Sequence, residues 1–125
     1  MRGPMITTLF AAALAAGVSH AQSISVAMAN FKFKPSTLTL QHGTPYLVHF
    51  TNTASGGHDF VAKEFFATAT IAPEDQGKVR GGEVELSGGE AVDVRFVPNR
   101  PGTYKVHCSH FMHGMFGMTG KIIVQ

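Results

Sequence analysis

Cysteine is nearly absent from this chain: one residue, Cys108, among 125. A lone thiol cannot close an internal disulfide, so it is left to pair with another chain, to stay free, or to bind a metal. Charge is sparse as well, at 14% of residues, and balanced. Without Arg2 there are nine lysines and arginines against eight aspartates and glutamates. They are scattered, which argues against nucleic acid or another polyanion as partner. Beyond the N-terminal region no apolar run is long enough to cross a bilayer, so no membrane span is expected. No stretch shows the periodicity of a long helix, which speaks against a helical bundle.

What is present begins with a leader-like segment. Arg2 precedes an alanine-rich apolar run over residues 6–18, and Ser19 and Ala21 put small residues where a signal peptidase reads. The expectation is a signal peptide over residues 1–21, cut after Ala21, and one domain over residues 22–125. The protein is then periplasmic. In an exported protein the unpaired cysteine is more telling, because the compartment would allow a disulfide if a second thiol existed.

From residue 22 onward the pattern is of short strands and turns. Ile24, Val26 and Met28 alternate with Ser23, Ser25 and Ala27, the period of two that gives a strand one buried face. Leu38 and Leu40 repeat it. So do Tyr46, Val48 and Phe50, which leave His49 on the opposite side, and Val92, Val94 and Phe96. Gly and Pro clusters punctuate these runs. Residues 64–71 read as a short helix or an irregular crossover, with Phe65 and Phe66 as core, and residues 73–78 as a solvated loop or one helical turn. Tyr104, Val106 and Cys108 share a face and His107 takes the other, so the thiol points inward. Residues 119–124 close the chain as a strand. About eight strands with a short irregular or helical insertion predict an all-β sandwich.

Residues 107–118 hold the only cysteine, three of the seven histidines and three of the six methionines, with no carboxylate. Thiolate, imidazole and thioether form a soft-metal set that favours copper, and two histidines, a cysteine and a long methionine contact suit electron-transfer copper. His58, behind Gly56 and Gly57, is the upstream histidine that would join it. No base aimed at the thiol and no oxyanion site is evident, so a cysteine-histidine enzyme is not expected. Methionine disfavours structural zinc.

The run from Phe31 to Leu38, the triplet His58-Asp59-Phe60, Pro101-Gly102-Thr103-Tyr104, and the spacing Cys108-x4-His113-x4-Met118 together resemble the cupredoxins, the type 1 copper proteins. The likeness spans nearly all of residues 22–125, and the histidine- and methionine-rich loop is similar to that of periplasmic copper-tolerance cupredoxins. The resemblance implies a Greek-key sandwich with one type 1 copper held by His58, Cys108, His113 and Met118. It also implies a bracing role for Asn52, and no enzymatic activity. Where family members commonly carry proline and glycine before the second histidine, this chain has Ser109, His110, Phe111 and Met112. The implied function is electron transfer, copper tolerance, or both. A redox partner or copper-handling protein would dock near His113, against Phe111, Met112, Met115 and Phe116, and the protein is expected to be a monomer. His110, Met112 and Met115 exceed what one centre needs, and they form a second, more exposed candidate site for Cu(I).

Overall fold

The structure is a computed structural model that describes residue 3, residues 20–110 and residues 117–125. The expected signal peptide lies almost wholly outside the described residues, and so do Met112, His113 and Met115. Among the described residues ten strands form two five-stranded sheets. They are β1 (Gln22–Ala29), β2 (Lys32–Lys34), β3 (Thr37–Leu40), β4 (Tyr46–Asn52), β5 (His58–Val61), β6 (Thr70–Ile71), β7 (Glu83–Leu86), β8 (Ala91–Val97), β9 (Gly102–His107) and β10 (Thr119–Val124). One sheet runs β2-β1-β4-β8-β6 and the other β3-β10-β9-β5-β7. The count exceeds the eight or so expected because β2 and β6, at three and two residues, are too short to display an alternation. No described helix is long and apolar enough to span a membrane.

Alternation decides which side chains enter the core. Val26 and Met28 of β1, Tyr46, Val48 and Phe50 of β4, Val94 and Phe96 of β8, and Ile122 and Val124 of β10 are all buried between the sheets. His49 is outward, as parity requires, and meets Asp93 across the β4–β8 ladder. The sheets are not purely antiparallel: β1 runs parallel to β4, and β3 parallel to β10. The β1–β4 pairing sets Met28 beside Asn52, so both strands finish at the end of the sandwich where the chain turns toward His58.

The ambiguous insertion resolves into a helix, α1 (Lys63–Thr68), and a 3-10 helix, Pro73–Lys78. Phe65 and Phe66 are buried, as expected. Phe65 meets Phe96 and Tyr104 edge-on at centroid separations of 5.2 and 5.6 Å, a geometry worth about 0.5–1.5 kcal/mol per pair beyond area burial. The 3-10 helix is not simply a solvated loop. Its Asp75 is buried, takes Lys78 Nζ at 2.6 Å, and accepts the Arg95 backbone N–H at 2.8 Å, which fastens the insertion to β8.

Candidate metal centre

The sheet β3-β10-β9-β5-β7 places His58 and Cys108 together although fifty residues separate them. β5 lies next to β9, with Val61 opposite His107. His58 and Phe60 face the core on β5. Cys108, one residue past the end of β9, keeps the inward parity of Tyr104 and Val106. His58 Nδ1 and Cys108 Sγ are 3.8 Å apart, and both side chains are nearly inaccessible, at 1% and 2% exposure.

The β9–β10 ladder brings in the third residue. Thr119 pairs with His107, and beyond that pair the Cys108 N–H donates to the Met118 carbonyl at 3.1 Å. Cys108 and Met118 therefore stand side by side where the chain leaves and re-enters the sheet, and Met118 is fully buried. Gly117, with φ of 84°, makes the turn that returns the chain, in a backbone region that suits glycine.

Asn52 holds the approach to His58. It is buried at the end of the inward row of β4. Its amide donates to the carbonyls of Gly56 and Leu86 at 2.8 and 3.1 Å, and its side-chain oxygen accepts the Ala54 N–H at 3.0 Å. One side chain thus joins the loop before His58 to the end of β7, which agrees with the bracing role the resemblance implied.

Asp59 is the site residue that sequence reasoning missed. It points away from the core, yet it is 1% exposed. Its carboxylate accepts the Ser109 N–H at 2.6 Å and the Ser109 hydroxyl. This clamps the residue after Cys108 to the residue after His58. The available signal was parity: Asp59 adjoins a candidate ligand on a strand whose other positions are apolar.

Burial pushes the Cys108 thiol above its ordinary value. Hydrogen bonding from the Asp59 and His110 backbones brings it part of the way back, and the Asp59 carboxylate adds to the rise. A metal that binds there must displace the thiol proton, so uptake is coupled to proton release.

The remaining expected residues divide. His107 is exposed, consistent with its exclusion by parity. His110 does not stand alone as a soft ligand: its Nε2 contacts Glu85 Oε1 at 2.8 Å, and its ring lies 6.3 Å from that of His58. His113, Met112 and Met115 are outside the described residues.

A buried imidazole nitrogen, a thiol and a neighbouring thioether make a donor set for a soft transition metal. The 3.8 Å separation also suits one shared ion, for which bonds of about 2.0 Å to nitrogen and about 2.3 Å to sulfur are usual. Such a centre, at one end of a two-sheet sandwich, defines a class. The chain belongs to the family described as the cupredoxin-like domain, which it matches over residues 4–124. Cupredoxins are electron carriers rather than enzymes, and membership implies a type 1 copper, which the donor set fits.

Solved structures agree on the fold. Sodium-dithionite-reduced auracyanin from the photosynthetic bacterium Roseiflexus castenholzii is 22% identical with a TM-score of 0.63, covering 84% of this chain and 98% of that one. Auracyanin A, a "blue" copper protein from Chloroflexus aurantiacus, is 17% identical with a TM-score of 0.61, covering 85% and 100%. Auracyanin B gives 21% and 0.60, covering 84% and 89%. No curated protein matches the sequence.

Proposed function

We propose that this protein is an exported electron carrier whose type 1 copper is held by His58, Cys108, His113 and Met118. The observation that carries the reading is the buried approach of His58 Nδ1 to Cys108 Sγ at 3.8 Å, with Met118 beside the cysteine across the ladder. Copper in such a site supplies a one-electron couple between Cu(I) and Cu(II). The chain's own groups hold the ligands still and keep water out. Asn52 ties down the loop entering His58, Asp59 ties Ser109 behind Cys108, and the sheets exclude solvent from both. Met118 would be the weak ligand, and His113 stands between Cys108 and Met118 in the sequence.

The leader over residues 1–21 directs the chain to the periplasm, with residues 22–125 as the mature monomer. A redox partner meets it near His113. Copper tolerance is the second reading, favoured by the surplus of histidine and methionine between Cys108 and Met118. Copper titration of the mature protein, followed by visible absorbance, tests the assignment. An intense thiolate-to-copper band at one equivalent is expected, absent in Cys108→Ser although that variant still folds by circular dichroism. A strong band retained without the thiol would reject it.

A further inference from the structure

Beside the His58–Cys108 pair, on the outward face of the same sheet, lies a second group of ligand types. Asp59 and Glu85 are directly opposite one another in the antiparallel β5–β7 register. His110 reaches Glu85 at 2.8 Å. One donor atom from each of Asp59, Glu85 and His110 lies within 4.8 Å of the other two.

Two features of this group favour positive charge beyond any that a protonated His110 lends Glu85. Like charges directly across an antiparallel pair destabilise it, yet β5 and β7 set two carboxylates opposite each other. Asp59 is also buried, and its partners are the neutral N–H and hydroxyl of Ser109. Among the described residues no lysine, arginine or histidine forms an ion pair with it. A buried carboxylate without a cation is costly.

We propose that Asp59, Glu85 and His110 form a second metal site, for a borderline divalent cation. Two carboxylates and an imidazole, with no thiolate or thioether, suit Cu(II) or Zn(II) rather than Cu(I), and the usual order of affinities places Cu(II) first. Bonds of about 2.0–2.2 Å need donors no more than about 4.4 Å apart, so three donors within 4.8 Å of one another come near a shared ion. The Glu85 side chain is 50% exposed and contacts His110 Nε2 at 2.8 Å, while Asp59 is held by Ser109. His110 is seated over Gly57, where an added Cβ would come within 3.0 Å of its ring. The side-chain exposure of Glu85 and His110, 50% and 32%, leaves the remaining coordination positions to water. The site therefore takes its ion from solution, whereas the His58–Cys108 pair is enclosed. Its three ligands differ from the His110, Met112 and Met115 set expected from sequence, with only His110 common to both.

Zn(II) titration by calorimetry into copper-loaded protein tests this, with Cu(II) addition followed by electron paramagnetic resonance as a second probe. One further equivalent is expected, with Cu(II) there giving the spectrum of an ordinary tetragonal centre distinct from the thiolate-bound one. Glu85→Gln and His110→Gln should each weaken the further equivalent at least tenfold while the visible thiolate band is unchanged, which also shows that the variants fold. No further equivalent in the parent overturns the proposal. So does one that both variants bind as tightly as the parent, or one taken up only as Cu(I) and kept in Glu85→Gln. The proposal does not rest on the type 1 assignment. If no coloured band forms, a Zn(II) equivalent lost in Glu85→Gln and His110→Gln still supports it.

Discussion

Asn52, Asp59 and Met118 show how single buried side chains define the site. Asn52 uses both ends of its amide, so no polar atom of it is left over, and the loop it spans carries His58 into place. Asp59 performs the same task for the other ligand segment through Ser109. Met118 is different, because its side chain is apolar packing as well as a proposed ligand. Met118→Leu conserves volume in a fully buried position and should cost less than about 1.5 kcal/mol of stability. A weak axial ligand tunes the couple more than it retains the metal. The variant is therefore expected to keep copper and to shift the reduction potential upward in protein-film voltammetry. Loss of copper would remove Met118 from the axial position.

At the scale of elements, the end of the sandwich that bears the site is built from loops packed back to back. The loop after β4 and the turn between β7 and β8 touch so closely that a Cβ on Gly88 would overlap the Ser55 backbone. The same two segments exchange hydrogen bonds through Gly89 N to Asn52 O and Asn52 N to Glu90 O, each 2.9 Å. Gly88→Ala must push backbone against backbone. It should destabilise by about 1–3 kcal/mol, seen as a lower urea midpoint, and should perturb the visible band because the displaced loop leads to His58. Gly56→Ala is the control. No atom lies within 4 Å of its added Cβ, and its stability should stay within about 0.5 kcal/mol of the parent. Equal midpoints for the two variants would show that the loop contact is not tight.

For the molecule as a whole, Asp75 links acid stability to the way the insertion is fastened. Burial by itself raises its pKa, but Lys78, the Arg95 backbone N–H and the Arg95 guanidinium together bring it below the ordinary aspartate value of 3.8. A carboxyl depressed on folding contributes stability that is fully present above its unfolded value and is lost as pH falls through the folded one. Asp75→Asn should be less stable than the parent near neutral pH by about 1.5–3 kcal/mol, the scale of hydrogen bonds to a charged group. That difference should shrink as pH drops below about 3.8. Urea unfolding at a series of pH values measures it, and a difference that stays constant down to pH ~2 would show that the depressed carboxyl is not its source.

The extent to which this protein is legible from its residues follows from the range of the interactions involved. Strand parity is local, with a period of two. Alternation alone therefore put Cys108 inward, His107 outward and His49 off the core, and the soft-ligand cluster near Cys108 named the metal chemistry. The short helix at Phe65 and Phe66 was half visible, because a six-residue helix shows little periodicity. Partners across long separations are another matter, since they depend on which strands become neighbours. Placing β5 between β9 and β7 is what sets His58 against Cys108, Asp59 against Ser109, and Asp59 opposite Glu85. Asp75, in a polar run that reads as exposed, is buried only because the 3-10 helix packs on β8. The sequence by itself determined which side of each strand a residue faces and which ligand types are available. Only the tertiary structure decided which of them meet, because no local pattern encodes the order of strands in a sheet.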